Sequence, residues 1–336
     1  MKRIIYSILV LSALLLTSCV RTKLNYGDLK IDSWNFPDEI FREFVSENFD
    51  TDKNGGLSAE EIEAVTEISI VSKEVSSLEG VKIFTNLRCL ECAGNNLKSL
   101  DVSGNTNLVE LNCLRNEIKN LDMSYNTRLE KLLCSYNELT SLDVSKNESL
   151  AYLYCDDNHL KNLDVTHSLS LVKLNISENE IKDINLSNNF LLEEIYCSDN
   201  QLTELDISNS APLFTLICSN NRLTELNVSN NTHLLYFSCG NNLLTDLDVS
   251  KNIKLKHLTC NSNQLTKLDV SNNEMLSKLE VYSNYLTELD LSYNPRMAVF
   301  YCKDNPLKKL LLNQYPKFND IPEGLQIEYL TDKMGD

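Results

Sequence analysis

The chain has 336 residues, 42% of them apolar, and a formal net charge of −17. That much apolar material can bury a large core. The excess of carboxylates excludes nucleic acid and argues against a bare anionic lipid surface as the natural partner.

At the start, Lys2 and Arg3 precede an apolar run from Ile4 to Leu16 that is too short and too one-sided to be a stable membrane span. The run closes with Leu16-Thr17-Ser18-Cys19, which resembles a bacterial lipobox. The resemblance implies that residues 1–18 are a removed signal peptide, that the Cys19 thiol is diacylated and that its new amine is acylated. Three acyl chains anchor firmly where one is marginal. Val20 stands where an inner-membrane retention cue would place Asp, so the expected home is the outer membrane of a bacterial envelope, with surface exposure left open. Residues 19–35 read as a lipidated tether.

Residues 36–64 form a separate, helical module. Phe36, Ile40, Phe41, Phe44, Val45 and Phe49 fall on one face of a helix that Pro37 can start. The run from Asp50 to Glu61 then has the spacing D-x-[DN]-x-[DN]-G-x5-E of an EF-hand calcium loop. Asp50, Asp52 and Asn54 would supply side-chain oxygens, Gly55 the sharp turn, Gly56 its carbonyl and Glu61 a closing carboxylate, with calcium in a structural role. A second reading stays open. Ser58 and Glu61 are also an S-x-x-E capping box, and no second loop is present to pair with this one, so the module could be a metal-free helical cap.

From Leu87 onward a unit of 21 residues repeats without insertion, beginning at Leu87, Leu108, Leu129 and so on to Met297. The consensus is L-x-x-L-x-C-x-x-N-x-L-x-x-L-D-V-S-x-N-x-x, and the ninth position is Asn in every unit from Asn95 to Asn305. This period and opening resemble the leucine-rich repeat, in the bacterial class of 21 residues that is itself internalin-like. The resemblance implies a solenoid with one coil per unit. Apolar residues at the fourth and sixth positions alternate at the strand period, and Leu and Val around the Asp alternate again. The fold expected is therefore mostly β: two short parallel strands per coil, stacked at ~4.8 Å, with the small helical cap in front. Residues 65–86 are a divergent first coil with Lys73 in place of Asn. The solenoid runs over residues 65–312, and residues 313–336, broken by Pro316 and Pro322, close its far end with Leu325–Leu330 as a last strand.

The columns carry the interior chemistry. An unpaired amide between apolar positions would cost a few kcal/mol, so the ninth-position Asn residues should bind turn backbone of their own and the adjacent coil. Nine of the 11 cysteines share the sixth position with Ile176 and Val281, which points to buried free thiols and not to disulfides. Cys89 alone is off that column, at a position expected to be exposed. His159, His167, His233 and His257 occupy four different repeat positions, and no nucleophile elbow or glycine-rich phosphate loop occurs, so no enzyme is expected.

Function then falls to the solvent-facing positions around the first strand, which the family resemblance assigns to ligand binding. Tyr152, Tyr154, Tyr196, Phe214, Ile217 and Tyr236 stand there in the middle coils, an enrichment that marks an interface for a protein or glycan ligand. The competing reading is a monomeric envelope spacer or adhesin scaffold with no specific ligand, since tyrosine also suits strand surfaces.

Overall fold

Alternating Leu and Cys drive each coil to open with a short strand whose apolar side chains turn inward, and stacking then makes every such column a ladder. A computed structural model describes residues 27–313, 317–318 and 325–329. The signal segment and Cys19 lie outside the described residues, and the stretch 313–336 is described only in part. In front of the solenoid lie β1 (Leu29–Lys30), α1 (Glu39–Asn48), β2 (Gly56–Leu57) and α2 (Ala59–Ala64). The first strands of the coils, from β3 (Glu67–Ser69) and β4 (Cys89–Glu91) through β13 (Lys278–Glu280), β15 (Val299–Tyr301) and β17 (Lys317–Phe318), form one parallel sheet of 13 strands. The register is strict, Leu111 pairing with Leu132 and Leu132 with Leu153.

The second alternation of the unit becomes a ladder only at the far end. There β14 (Glu288–Leu291), β16 (Lys309–Leu312) and β18 (Gln326–Tyr329) pair in parallel. Elsewhere among the described residues a single bridge, Asp122 to Asp143, marks that line. In most coils the column's Asp turns back on its own backbone, as where Asp143 accepts the Ser145 N–H at 2.9 Å, a local bond that competes with pairing. That bond does not exclude pairing, since Asp290 of β14 makes it to the Ser292 N–H at 2.8 Å and β14 nonetheless pairs with β16, where Leu311 stands in the Asp place.

The ninth-position Asn residues are the interior's polar spine. Asn137 is buried; its amide nitrogen donates to the carbonyls of Cys113 (3.1 Å) and Cys134 (3.1 Å), and its Oδ1 accepts the Ile118 N–H at 3.0 Å. Each such amide therefore ties its own coil to the preceding one, where the chain leaves the strand and backbone pairing fails. The residue just before it is left-handed in every coil, as at Arg115 (φ 54°), Tyr136 (φ 55°) and Asn220 (φ 57°), with Gly94 in the first regular coil. In the divergent coil Lys73 has no amide to offer, and Asn95 of the next coil accepts both the Lys73 and Val75 N–H groups.

The second Asn of the repeat, at its nineteenth position, forms another buried amide column, a burial that the pattern alone did not show. Asn105, Asn126, Asn147, Asn189, Asn231, Asn252, Asn273 and Asn294 are all fully buried. Asn126 donates to the carbonyls of Val102 (3.0 Å) and Asn105 (2.9 Å) in the coil before it. The Oδ1 atoms of this column have no partner, so its service is donation alone. Ser168 and Ser210 interrupt it.

The described cysteines are free, and all but Cys89 are buried. Desolvation pushes the Cys113, Cys197 and Cys260 thiols up to about 12, which leaves them protonated and inert. Cys89 is half-buried in β4 and not exposed as expected; burial first, then the Glu110, Glu91 and Glu67 carboxylates, raise its thiol pKa as well.

At the near end the helical module seals the open coil. Pro37 sits just outside α1, whose N-cap is Asp38, with Oδ1 accepting the Phe41 N–H at 3.0 Å. The other oxygen of Asp38 accepts from the Ser76 N–H (2.8 Å) and hydroxyl (2.7 Å), binding cap to solenoid. Phe36, Phe41 and Val45 are buried, and the Phe49 ring meets Phe84 of the first coil edge-on at 5.3 Å. Ile40, read from the sequence as part of the apolar face, is 39% exposed and lies on the helix flank.

Candidate functional site

The outward side of the 13-stranded sheet is built from the third and fifth positions of each unit, which flank the buried fourth. Tyr152 and Tyr154 stand side by side on one three-residue strand, with Leu153 turned into the core between them. They line a hollow of about 610 Å³ with Leu133 and Leu114 on one side, Asn175 on the other, and Lys131 and Lys173 at its rim. Lys131 is ion-paired with Glu110 of the preceding coil, and Lys173 with Glu194 of the following one at 2.6 Å. Asp156, at the hollow's edge, accepts a hydrogen bond from the Ser135 hydroxyl; burial nonetheless raises its carboxyl pKa.

The other expected residues continue along the same sheet and do not enter that hollow. Tyr196 is half-buried and donates its hydroxyl to Glu194 at 2.9 Å. Burial, then that bond, pushes its pKa up to about 12, so it serves as a neutral donor and apolar plate. Ile217 and Phe214 are half-buried on the next coil, Phe214 at the edge where the chain rises into the strand. Tyr236 is 39% exposed and meets the His257 ring edge-on at 5.0 Å. The site is thus a strip rich in aromatic and aliphatic side chains across the middle coils, interrupted by Lys173 and Asn175, with one hollow at its near end. Leu133, Lys131, Lys173, Asp156 and Asn175 were not singled out from the sequence. Lys131, Leu133, Lys173 and Asn175 occupy the third and fifth positions that the tyrosines occupy, and Asp156 the seventh, so their signal is register and not residue type.

The loop between α1 and α2 is a separate candidate centre. Carboxylate oxygens of Asp50, Asp52 and Glu61 all lie within 4.8 Å of one another. Asp50, buried at 3% exposure, accepts the N–H groups of Asn54 (3.1 Å) and Gly55 (3.0 Å), and Gly55 takes the left-handed turn at φ 84°. Asn54 donates to Asp52 (3.0 Å) and to Asp28 (2.8 Å), while its oxygen accepts the Gly56 N–H. Glu61 completes the capping box with Ser58 and also accepts from the Thr51 N–H and hydroxyl, each at 2.6 Å. The Thr51 hydroxyl, then the Ser58 amide, hold its carboxyl down to about 2. Where a second loop would pair, β1 lies antiparallel to β2, Leu29 opposite Leu57 and Lys30 opposite Gly56. Convergent oxygen donors without nitrogen or sulfur suit a hard divalent cation. The same Glu61 carboxylate caps α2, so the two readings of this loop share one residue.

No family model matches the chain. Among curated proteins, Internalin J of Listeria monocytogenes is 32% identical over 88 residues, which is 26% of this chain and 10% of that protein. The chain thus spans only a small part of that relative's length. Among solved structures, the functional domain of InlJ from Listeria monocytogenes, described as including a cysteine ladder, is similar with a TM-score of 0.79 and 31% identity, over 90% of this chain and 71% of that one. An internalin (InlF) from the same species has a TM-score of 0.68 at 22% identity, covering 91% of this chain and 98% of its own. A leucine-rich repeat protein of Leptospira interrogans has a TM-score of 0.62 at 21% identity, over 81% and 86%. The last two likenesses concern the fold alone.

Proposed function

The chain belongs to the internalin-like leucine-rich repeat proteins, and from that premise we propose that it is a non-enzymatic binding protein of the bacterial envelope, engaging a protein ligand through the outward face of its parallel sheet. The observation that carries this reading is the strip from Leu133 and Tyr154 through Tyr196 and Ile217 to Tyr236. It is a surface rich in apolar and aromatic side chains, held on the ladder of the parallel sheet. Pre-ordered aromatic side chains bind with little loss of conformational entropy. Screening the protein against extracellular proteins and glycans, with a Tyr154→Ala/Tyr196→Ala variant beside it, tests the reading. A ligand whose binding drops in the variant supports it. A screen without any ligand supports the alternative, a passive spacer or adhesin scaffold, which the monotony of the remaining columns favours.

Two further parts of the proposal concern attachment and metal. Cys19 is the lipidated N-terminus that tethers the protein to the outer membrane; the support is the lipobox spacing after a charged start. A palmitate analogue should label the wild type and spare Cys19→Ala, and equal labelling would sink the idea. The loop of Asp50, Asp52, Asn54, Glu61 and the Gly56 carbonyl holds calcium in a structural role, supported by its spacing and its convergent carboxylates.

A further inference from the structure

The strip is chemically different at its two ends. The coils before the aromatic stretch present Glu67, Glu91 and Glu110 at solvent-facing positions of the sheet, with Arg88 their one basic residue at those positions. The coils beginning at Leu255, Leu276 and Met297 instead present Lys256, Lys278 and Lys303, with Glu280 their one acidic residue at those positions. Lys278 shares its charge with Glu280 at 2.7 Å. Lys256 and Lys303 have no acidic partner among the described residues, nor do Lys254 and Arg296 on the adjoining edge. In a chain of net charge −17 this is a local reversal of sign. His257 feels it, since burial and then Lys278 and Lys256 lower its pKa.

The middle of the strip also spreads beyond the strands. At the turn before the sheet, where other coils carry Thr106, Thr127, Glu148 or Thr232, three exposed apolar side chains stand together: Leu169 (53% exposed), Phe190 (56%) and Leu191 (53%), with Ile253 (57%) alone at that place farther on. Pro212 and Phe214 carry this apolar edge onto the next coils and join it to the sheet. Aliphatic and phenyl groups on this scale are satisfied by apolar side chains of a protein, whereas a sulfated or carboxylated glycan offers charge and little apolar surface.

We infer that the ligand is a protein segment of mixed character, in which an apolar and aromatic stretch seats on the coils from Leu129 to Leu234 and an adjoining acidic stretch lies over Lys256, Lys278 and Lys303. This rests on the sheet face being the binding surface. It adds the chemistry of the partner and the direction in which it changes along the solenoid. Charge complementarity of this kind selects partner and register.

Three synthetic peptides test it on the full chain. About 12 extended residues at ~3.3 Å each cover roughly eight coils at ~4.8 Å. All three share one half built of Leu, Phe, Tyr and Trp; the other half is acidic, serine-rich or lysine-rich. The acidic peptide should bind roughly tenfold more tightly than the serine peptide at moderate salt, and the lysine peptide more weakly than either. Lys256→Glu with Lys278→Glu and Lys303→Glu should invert that order, and the same three positions as Ser should flatten it, which covers a charge-reversed protein that folds poorly. Equal affinity for the three peptides, a preference for lysine, or no binding at all overturns the inference. So does a heparin-derived oligosaccharide that binds through the three lysines in place of the acidic peptide. If the peptides bind equally yet Tyr154→Ala/Tyr196→Ala weakens them all, the sheet face remains the binding surface and only the inferred partner chemistry falls.

Discussion

The cap and the solenoid solve the same problem, an apolar face that cannot stand alone, by opposite means. In the solenoid each buried group is backed by copies: Asn137 does for its coil what Asn116 and Asn158 do for theirs. In the cap each contact occurs once. Asp38 alone joins α1 to the Ser76 turn, and Glu61 alone serves Thr51, Ser58 and the acidic loop. Repetition makes the solenoid insensitive to which coil carries a given bond, though not to losing one. Single use makes the cap adjustable by whatever reaches its loop.

The largest expected effect lies in the solenoid. Asn200→Ala removes an acceptor for the Ile181 N–H and a donor to the Ile176 and Cys197 carbonyls, all buried. The loss should be on the order of 3 kcal/mol in urea unfolding, because several buried groups are left unpaired. A change under about 0.5 kcal/mol, typical of a surface site, would mean that water replaces the amide.

The second amide column should give less. Asn231→Ser deletes donors to Ile207 and Ser210 but also removes an Oδ1 that has no partner, and Ser168 and Ser210 already occupy equivalent places. Roughly 1–2 kcal/mol is expected. A loss as large as that of Asn200→Ala would show the two columns to be equal.

For the cap, a few millimolar calcium should add about 1–2 kcal/mol if the loop binds with an extracellular-type affinity. The gain should be seen as slower amide exchange in Glu39–Asn48 and should vanish in Asp50→Ala/Glu61→Gln. Coincident exchange with calcium and with chelator would leave only the capping box. Acid offers a second handle. Glu61 is lowered from 4.5 to about 2, so its contribution is complete above pH 4.5 and is lost as pH falls toward 2. Exchange in α1 and α2 should therefore accelerate across that window before the solenoid unfolds.

The smallest effect should be Cys134→Val, because Ile176 and Val281 fill the same buried slot. A cost below about 1 kcal/mol is expected from a near-isosteric apolar change. Thiol titration should find Cys113, Cys134 and Cys155 unreactive until the protein is denatured, then free without reductant. A loss of several kcal/mol would give the thiol column a role that apolar packing does not supply.

What the sequence determined by itself was the register of the repeat and the core columns it stacks. A period of 21 places Leu111, Leu132 and Leu153 in one register before any coordinates exist, because stacking turns a period directly into a ladder. The same holds for the buried thiols, for the Asn amides that bridge coils, and for the nearness of the Asp50, Asp52 and Glu61 carboxylates, which lie close together in the chain. Tertiary structure decided what occurs once or depends on neighbours in other coils. It set which tyrosines border a hollow, since Tyr154 shares one with Leu133, Lys131 and Lys173 while Tyr196 is drawn to Glu194. It paired the second strand only at the far end, and it buried the second Asn column of the repeat, whose burial the pattern alone does not show. It also paired β1 with the loop strand, across 26 residues from Asp28 to Asn54. A periodic pattern carries its own partners in its copies, whereas a lone contact is specified only when the folded chain brings its two halves together.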